Sequence, residues 1–426
     1  ARNHRQRNPS TTSRSLSMFK TYTGFQYLCI DIANSYGKDK DLFEDRIQWV
    51  LDNIKDLESL VPTADDQPLF LKAVMALRSS QKGNPTGHLI SLDGVCSGIQ
   101  ILSALTGCIK GATITGMIDP NVRADAYTSM TQEMNSLMVQ DGLKGVTVSR
   151  ADAKDAVMKG VYGSKAVPKE LFGELVGYYD QACINIAPGA FELLPEMLSA
   201  WDPTKLVNQW TQADGFEVVI PVMDTKSTRI QVDELGGASI TVEYKENMPL
   251  EFSASLVANA THSTDALIVS NMIRRCSYNK PQTESVLYVL ETLLDAGSEP
   301  HEMTDKHIIK YVSLAQRFNW IDPVIISFID MGNINQLPNW YAIRLIKLIK
   351  MMLVYPPFDL LTVHDAFRCH ANNANAVRYW YKEILAEIAE SNILSCIMSD
   401  ILGVKGTYPK LGNIGDLIRQ SNYSLC

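Results

Sequence analysis

Asp93 closes an apolar run, GHLISL, and is followed at once by Gly94 and then by small or uncharged residues, VCSGIQ. Asp365 holds a similar place in FDLLTVHDAFRCHA (358–371), a β-like stretch centred on His364 and Asp365. A carboxylate at the edge of a buried strand is costly unless it is paired or metal-bound. Taken alone, each aspartate reads first as the cap of a turn or helix. Brought together from distant parts of the chain, the two would bind hard divalent cations such as magnesium. Two such ions divide the work of phosphoryl transfer, one activating the attacking oxygen and the other stabilising the leaving group. The small residues after Asp93 leave room for a substrate sugar and expose the Gly94 carbonyl as a further ligand.

A second cluster is Arg150, Lys154 and Tyr162. On a helix, steps of four and eight residues keep these side chains within roughly a third of the circumference. Two cations and a phenol on one face suit a triphosphate and a base or sugar; by spacing alone they equally describe a solvated basic face. NATHSTD contributes His262 and Asp265, and ANSYGKDK ends in Lys40, which in isolation is a loop lysine.

The elements that must carry these residues are mostly helical. GFQYLCIDIANSY (24–36), EDRIQWVLDNIKDLESL (44–60) and ADAKDAVMKGVYG (151–163) have apolar residues at helical spacing. FEVVIPV and TRIQVDELGGASITVEY, within 216–246, alternate instead, and the second folds back at Glu-Leu-Gly-Gly as a hairpin. Residues 278–358 read as almost wholly helical, with breaks at Ser298–Pro300, Trp320–Pro323 and Leu337–Pro338. Helices around a few strands predict an α+β fold. Eight scattered cysteines without a C-x-x-C pair favour free thiols in a reducing compartment. The net charge of −8 argues mildly against nucleic-acid binding, although it reports the whole surface and not a cleft. No run approaches the roughly 18 apolar residues of a membrane span. The first 30 residues hold Arg2, Arg5, Arg7, Arg14 and Lys20 and no acid, which reads as a basic arm or as leader sequence before Met18.

In order, the chain shows ANSYGKDK, DGVCSGIQ, R-x3-K-x7-YG from Arg150 to Gly163, DGFEVVIPV, NATHSTD and VHDAF. This succession resembles the single-subunit RNA polymerases of T-seven-type phages and mitochondria, from about Gly24 to the end. DGVCSGIQ looks like their motif A, 150–163 like motif B and VHDAF like motif C. The resemblance implies a polymerase right-hand fold with palm and fingers only, mainly helical with a small antiparallel palm sheet. It implies a disordered basic tail (1–23), a first palm part (24–110) and fingers (111–262) with a β-hairpin at about 222–248. A second palm part (263–426) would carry the helical insertion 278–358 and a C-terminal foot. It further implies that Asp93 and Asp365, with the backbone of Gly94, hold two Mg2+ ions. Lys154, Arg150 and Lys40 would hold the triphosphate. Tyr162 and Gly163 would lie at the new base pair, with Tyr162 helping to select ribose. His262 would reach the 2′-hydroxyl, and Gly98 would admit that hydroxyl where DNA polymerases usually carry a glutamate.

The chain departs from that family in two ways. It contains no D-x-x-G-R motif and has no counterpart of the family's large N-terminal half. It is therefore similar to the larger subunit of the two-subunit RNA polymerases of N-four-type phages, which implies an obligate smaller subunit carrying the missing half. DNA template, RNA product, ribonucleoside triphosphates and recruitment factors would be the other partners, with no membrane, in the cytoplasm of an infected bacterium. The second departure is the block 278–358, a docking surface or a surface elaboration. The hairpin falls where the family reads promoters, but its tip, VDELGG, is acidic and poorly suited to a DNA groove. The rival expectations are a palm-family DNA polymerase, which Gly98 and His262 oppose, and a non-catalytic scaffold, which the intact aspartates and cations oppose.

Overall fold

The computed structural model describes residues 19–143 and 145–426. Thr23 starts the first helix with a capping box: its hydroxyl accepts from the Gln26 N–H, and the Gln26 side chain accepts from the Thr23 N–H. The helices in chain order are α1 (Gly24–Ala33), α2 (Phe43–Asp52), α3 (Gln67–Gln81), α4 (Ser97–Thr106), α5 (Ile109–Ile114) and α6 (Ala126–Gln140). They continue as α7 (Arg150–Gly160), α8 (Ala166–Phe172), α9 (Val176–Ile186), α10 (Pro188–Ser199), α11 (Ser255–Cys276), α12 (Lys280–Asp295) and α13 (Lys306–Phe318). The last are α14 (Asn339–Met352), α15 (Ala374–Glu390), α16 (Ile393–Leu402) and α17 (Gly415–Arg419). Among the described residues seven strands are interspersed: β1 (Ile90–Asp93), β2 (Val207–Thr211), β3 (Glu217–Pro221), β4 (Met223–Val232), β5 (Ala238–Asn247), β6 (Leu361–Val363) and β7 (Ala366–Cys369). Many helices around three small antiparallel sheets agree with an α+β polymerase fold.

The sheet that matters for chemistry is β1-β7-β6, antiparallel throughout. Its inner face is sealed by Ile90, Leu92, Phe367 and Cys369, all buried, with α1 and α15 packed nearby. The chain's last residues extend the end of β1. The Asp93 N–H donates to the Cys426 carbonyl (3.2 Å), and the Cys426 N–H returns to the Asp93 carbonyl (3.0 Å). The fully buried Gln100 of α4 ties this tail down, its amide donating to the carbonyls of Ser424 (2.9 Å) and Thr115 (3.0 Å).

One expectation needs correction at the start of the chain. The tail predicted to be disordered over 1–23 is ordered from Phe19 onward; residues 1–18 lie outside the described residues. Order there comes from Arg378 of α15. Its buried guanidinium donates to the Lys20 carbonyl (3.0 Å), the Tyr27 hydroxyl (2.8 Å) and the Asn422 carbonyl (2.8 Å). It also lies 4.7–6.0 Å from the ring centroids of Phe19, Tyr22, Tyr27 and Phe43. FEVVIPV stands apart from the hairpin. It forms β3 and pairs with β2, a strand the sequence pattern concealed. The hairpin itself is a separate ribbon of ten paired positions, Met223↔Asn247 to Val232↔Ala238.

The block 278–358 carries α12, α13 and α14, but it is less helical than expected: between α13 and α14 only two short 3-10 turns, Pro323–Phe328 and Ile334–Gln336, form, with a further break at 329–333. It is pinned to α11 by a buried polar knot. Asp322 accepts from Asn271 (2.9 Å) and pairs with Arg274 (3.1 Å), which also pairs with Asp214 (3.0 Å). Next to it Arg275, with no side-chain exposure, pairs with Glu387 of α15 at 2.6 Å, and its guanidinium lies 5.1 Å from the ring centroid of Trp380.

Candidate active site

A cleft of about 890 Å³ opens over the end of the β1-β7-β6 sheet. Asp93 is the last residue of β1 and pairs in register with Ala366, so Asp365 stands one residue away in the turn joining β6 to β7. The Gly94 N–H donates to the Asp365 carbonyl at 3.1 Å. A β-carbon at position 94 would lie 3.4 Å from the Asp365 carboxylate and 2.9 Å from the Tyr381 hydroxyl, which is why the residue after Asp93 has no side chain. Among the described residues, two of the three non-glycine residues with positive φ flank these aspartates: Cys96 (φ 55) and His364 (φ 54). Such conformations cost roughly 1–3 kcal/mol each and persist where surrounding structure enforces them.

The electrostatics agree with a crowded acidic floor. Burial, then the neighbouring Asp365, pushes the Asp93 carboxyl up to about 6, while the Gly94 N–H, Lys40 and Arg123 oppose the rise. Asp265 of α11 is likewise pushed up to about 6 by burial and then by Asp365, with His364 opposing. Beneath them Tyr381 is buried, donates its hydroxyl to Gln100 Oε1 (2.7 Å), and is held well above the usual phenol range by burial and by Asp365, Asp265 and Asp93.

The other wall is α7, started by the Ser149 side chain accepting from the Asp152 N–H. Arg150 is held by Asp125 at 2.8 Å, with its guanidinium 5.5 Å from the ring centroid of Tyr127. Lys154, one turn on, is exposed and makes no ion pair among the described residues. Tyr162 follows the helix, its ring 4.6 Å from that of His262. Burial, then Asp265 and Asp365, raises its phenol to about 12. Gly98 of α4 packs against Val161 and Tyr162: a β-carbon there would lie 2.9 Å from Val161 Cγ1 and 3.4 Å from the Tyr162 hydroxyl. Lys40 reaches the cleft from beyond α1 and pairs with Asp39 at 2.6 Å.

The cleft therefore gathers Lys40, Asp93, Gly94, Gly98, Arg150, Lys154, Tyr162, His262 and Asp365. Gly163 is the exception. It lies behind Tyr162 against Val257 and Ala254, outside the cleft lining, and its φ of 88 explains the glycine as a turn after α7. Sequence reasoning missed Arg123, Asp125 and Tyr127, which line the cleft, and gave no role to Asp265. Asp125 carried a usable signal, since it caps α6 by accepting from the N–H groups of Tyr127 and Thr128.

Residues 20–171 match the family model for DNA-dependent RNA polymerase. Over a third to two fifths of its length the chain is similar to DNA-directed RNA polymerases of a phage and of mitochondria. It is 25% identical over 197 residues to the DNA-directed RNA polymerase of Pseudomonas phage phiKMV, covering 39% of this chain and 24% of that one. It is 27% identical over 192 residues to a probable DNA-directed RNA polymerase of Neurospora crassa, covering 40% and 21%. To the mitochondrial DNA-directed RNA polymerase of Schizosaccharomyces pombe it is 27% identical over 163 residues, covering 33% and 14%. The chain thus spans about a quarter or less of the length of these relatives. The family match takes in Lys40, Asp93, Arg150, Lys154 and Tyr162 and stops before His262 and Asp365.

Proposed function

We propose that this chain is the catalytic polypeptide of a DNA-directed RNA polymerase, adding ribonucleotides to an RNA 3′ end on a DNA template. The observation that carries the reading is the meeting of Asp93, at the end of β1, with Asp365, in the turn before the adjacent strand β7, in one cleft with the cations of α7. The donors fit Mg2+. The two carboxylates of Asp93 and Asp365 and the backbone carbonyl of Gly94 are hard oxygen ligands. That is the sparse protein contribution expected for Mg2+, which takes one or two carboxylates and completes its shell with water and substrate phosphates. Two bound ions would supply charge at the attacking hydroxyl and the leaving pyrophosphate.

The chain's own residues do the rest. Lys154 is free to take triphosphate oxygens, Arg150 is held ready by Asp125, and Lys40 joins from beyond α1. The Tyr162–His262 pair forms a wall for the sugar and base, and Gly98 leaves no side chain against the 2′-hydroxyl. The same reading includes a smaller subunit bearing the thumb and the D-x-x-G-R arginine, as in N-four-type phage polymerases. It also includes recruitment factors and the cytoplasm of an infected bacterium. No helix among the described residues is long and apolar enough to cross a membrane.

The test is primer extension of an RNA–DNA hybrid in Mg2+, by the chain alone and with any subunit that co-purifies. Asp93→Asn and Asp365→Asn should each lower incorporation by about 10²–10³-fold or more while hybrid binding stays intact. Either variant within tenfold of the native protein would refute the assignment, and full extension by the single chain would remove the second subunit.

A further inference from the structure

One cation on the cleft floor takes no part in the chemistry above. Arg368 lies on β7 opposite Ser91 of β1, two residues beyond the Ala366–Asp93 pair. It lines the cleft, partly buried, and its Nε is shielded from solvent without a hydrogen-bond partner. No carboxylate pairs with it among the described residues, whereas Asp39 and Asp125 hold Lys40 and Arg150. The acid beside Ser91 is already engaged: Asp31 accepts the Ser91 N–H at 3.1 Å and faces His88 Nε2 at 2.8 Å. A partly buried guanidinium with no internal partner is matched by an anion from outside, and its planar donors favour phosphate.

Direction identifies the anion. From Asp93 the chain runs through Gly94 to Gly98, which packs on Val161 beside Tyr162. Ser91 lies the opposite way along β1, and the antiparallel register places Arg368 with it. Arg368 is therefore on the far side of the aspartates from Gly98 and the Tyr162 wall. Two strand residues span about 6.6 Å, roughly the reach of one nucleotide along a backbone. We propose that Arg368 binds the last phosphodiester of the RNA strand, one step behind the 3′ end, and so holds the terminal hydroxyl over Asp93 and Asp365. The identity of the anion rests on the polymerase reading.

The experiment measures binding of a fluorescent RNA–DNA hybrid by anisotropy without Mg2+, using the full chain with any co-purifying subunit. Arg368→Ala should weaken binding by about tenfold to a hundredfold, the range for hydrogen bonds to charged groups. Arg368→Lys should recover only part, because a point charge replaces a fork. A neutral methylphosphonate at the last RNA linkage should weaken the native protein similarly and leave Arg368→Ala no weaker. The same change one linkage upstream should act equally on both proteins. The methylphosphonate effect on the native protein is independent of whether the variant folds. Additive losses, no hybrid binding by the native protein, or unchanged binding with a raised nucleotide KM would each overturn the proposal. Native protein that shows the coupling yet never extends RNA in Mg2+ would refute the polymerase reading and leave the phosphate site standing.

Discussion

Gly98→Ala tests whether the contact between α4 and α7 sets the shape of the nucleotide site. A β-carbon at position 98 would sit 2.9 Å from Val161 Cγ1 and 3.3 Å from Cγ2. Comfortable carbon–carbon contact is about 3.5–4.0 Å, so Val161 must retreat by about 0.6–1.1 Å at its nearest methyl. Alanine in place of glycine favours a helix by about 1 kcal/mol, whereas an extra methyl in a packed site costs about 1–3 kcal/mol. The net loss of stability is then between zero and about 2 kcal/mol, small for a protein of this size. Function should suffer more, because Val161 is bonded to Tyr162, whose ring stands against His262. A displacement near 1 Å in a positioned site can cost about 10²-fold. The expected result is a tenfold to hundredfold fall in kcat/KM for ribonucleotide incorporation, with only a modest drop in melting temperature. Val161→Ala removes both methyl groups and should restore most of the loss in the double variant. Near-native activity of Gly98→Ala, or a double variant as poor as the sum of its parts, would refute the steric account.

Tyr162→Phe should relax discrimination against deoxyribonucleotides more than it slows ribonucleotide addition; competition between the two substrates reads this directly, and an unchanged ratio excludes the hydroxyl from sugar selection. Glu387→Ala should destabilise the fold by about 3–5 kcal/mol, since it leaves Arg275 buried and unpaired; a denaturant midpoint close to native would contradict it. For pH, Asp93 and Asp265 are both raised to about 6 in the metal-free fold. Their protonated forms are therefore favoured when folded. Their contribution to stability is fully present below about 4, the unfolded carboxylate value, and is lost as pH rises through about 6. Mg2+ needs the ionised form, so its stabilisation of the protein should be nearly absent at pH 5 and grow towards pH 7.5. Calorimetric melting with and without Mg2+ measures this, and a Mg2+ effect that does not change with pH would rule it out.

The parts legible from sequence were those with local signals. The hairpin turned where Glu-Leu-Gly-Gly said it would, and α7 carried Arg150 and Lys154 on one face because helical spacing is fixed by geometry. What stayed hidden depended on register and on distant partners. Asn208 and Gln212 blur the alternation around β2, yet both are buried. Residues 19–23 have no periodicity of their own; their order is set by Arg378, roughly 360 residues away, and by the rings of α1 and α2. Arg368 reads as one more charge in a strand until the pairing with Ser91 shows which side of the aspartates it faces. Gly98 was read as room for a hydroxyl. Its closest neighbour is instead Val161, so the glycine also serves the packing of one helix on another.

The tail that completes β1 also governs how the protein can be made. Gln100 and Ser424 are hydrogen-bonded across 324 residues of chain. At about 5–20 residues per second, a ribosome emits Ser424 roughly 15–65 s after Gln100. Throughout that interval the buried amide of α4 lacks one of its two acceptors and the β1 edge that Cys426 will cover stands open. An unpaired strand edge beside apolar surface is a template for aggregation. The nascent chain therefore has a long vulnerable period set by topology and not by stability, and slowing translation should lower the yield of native protein unless a chaperone shields that edge.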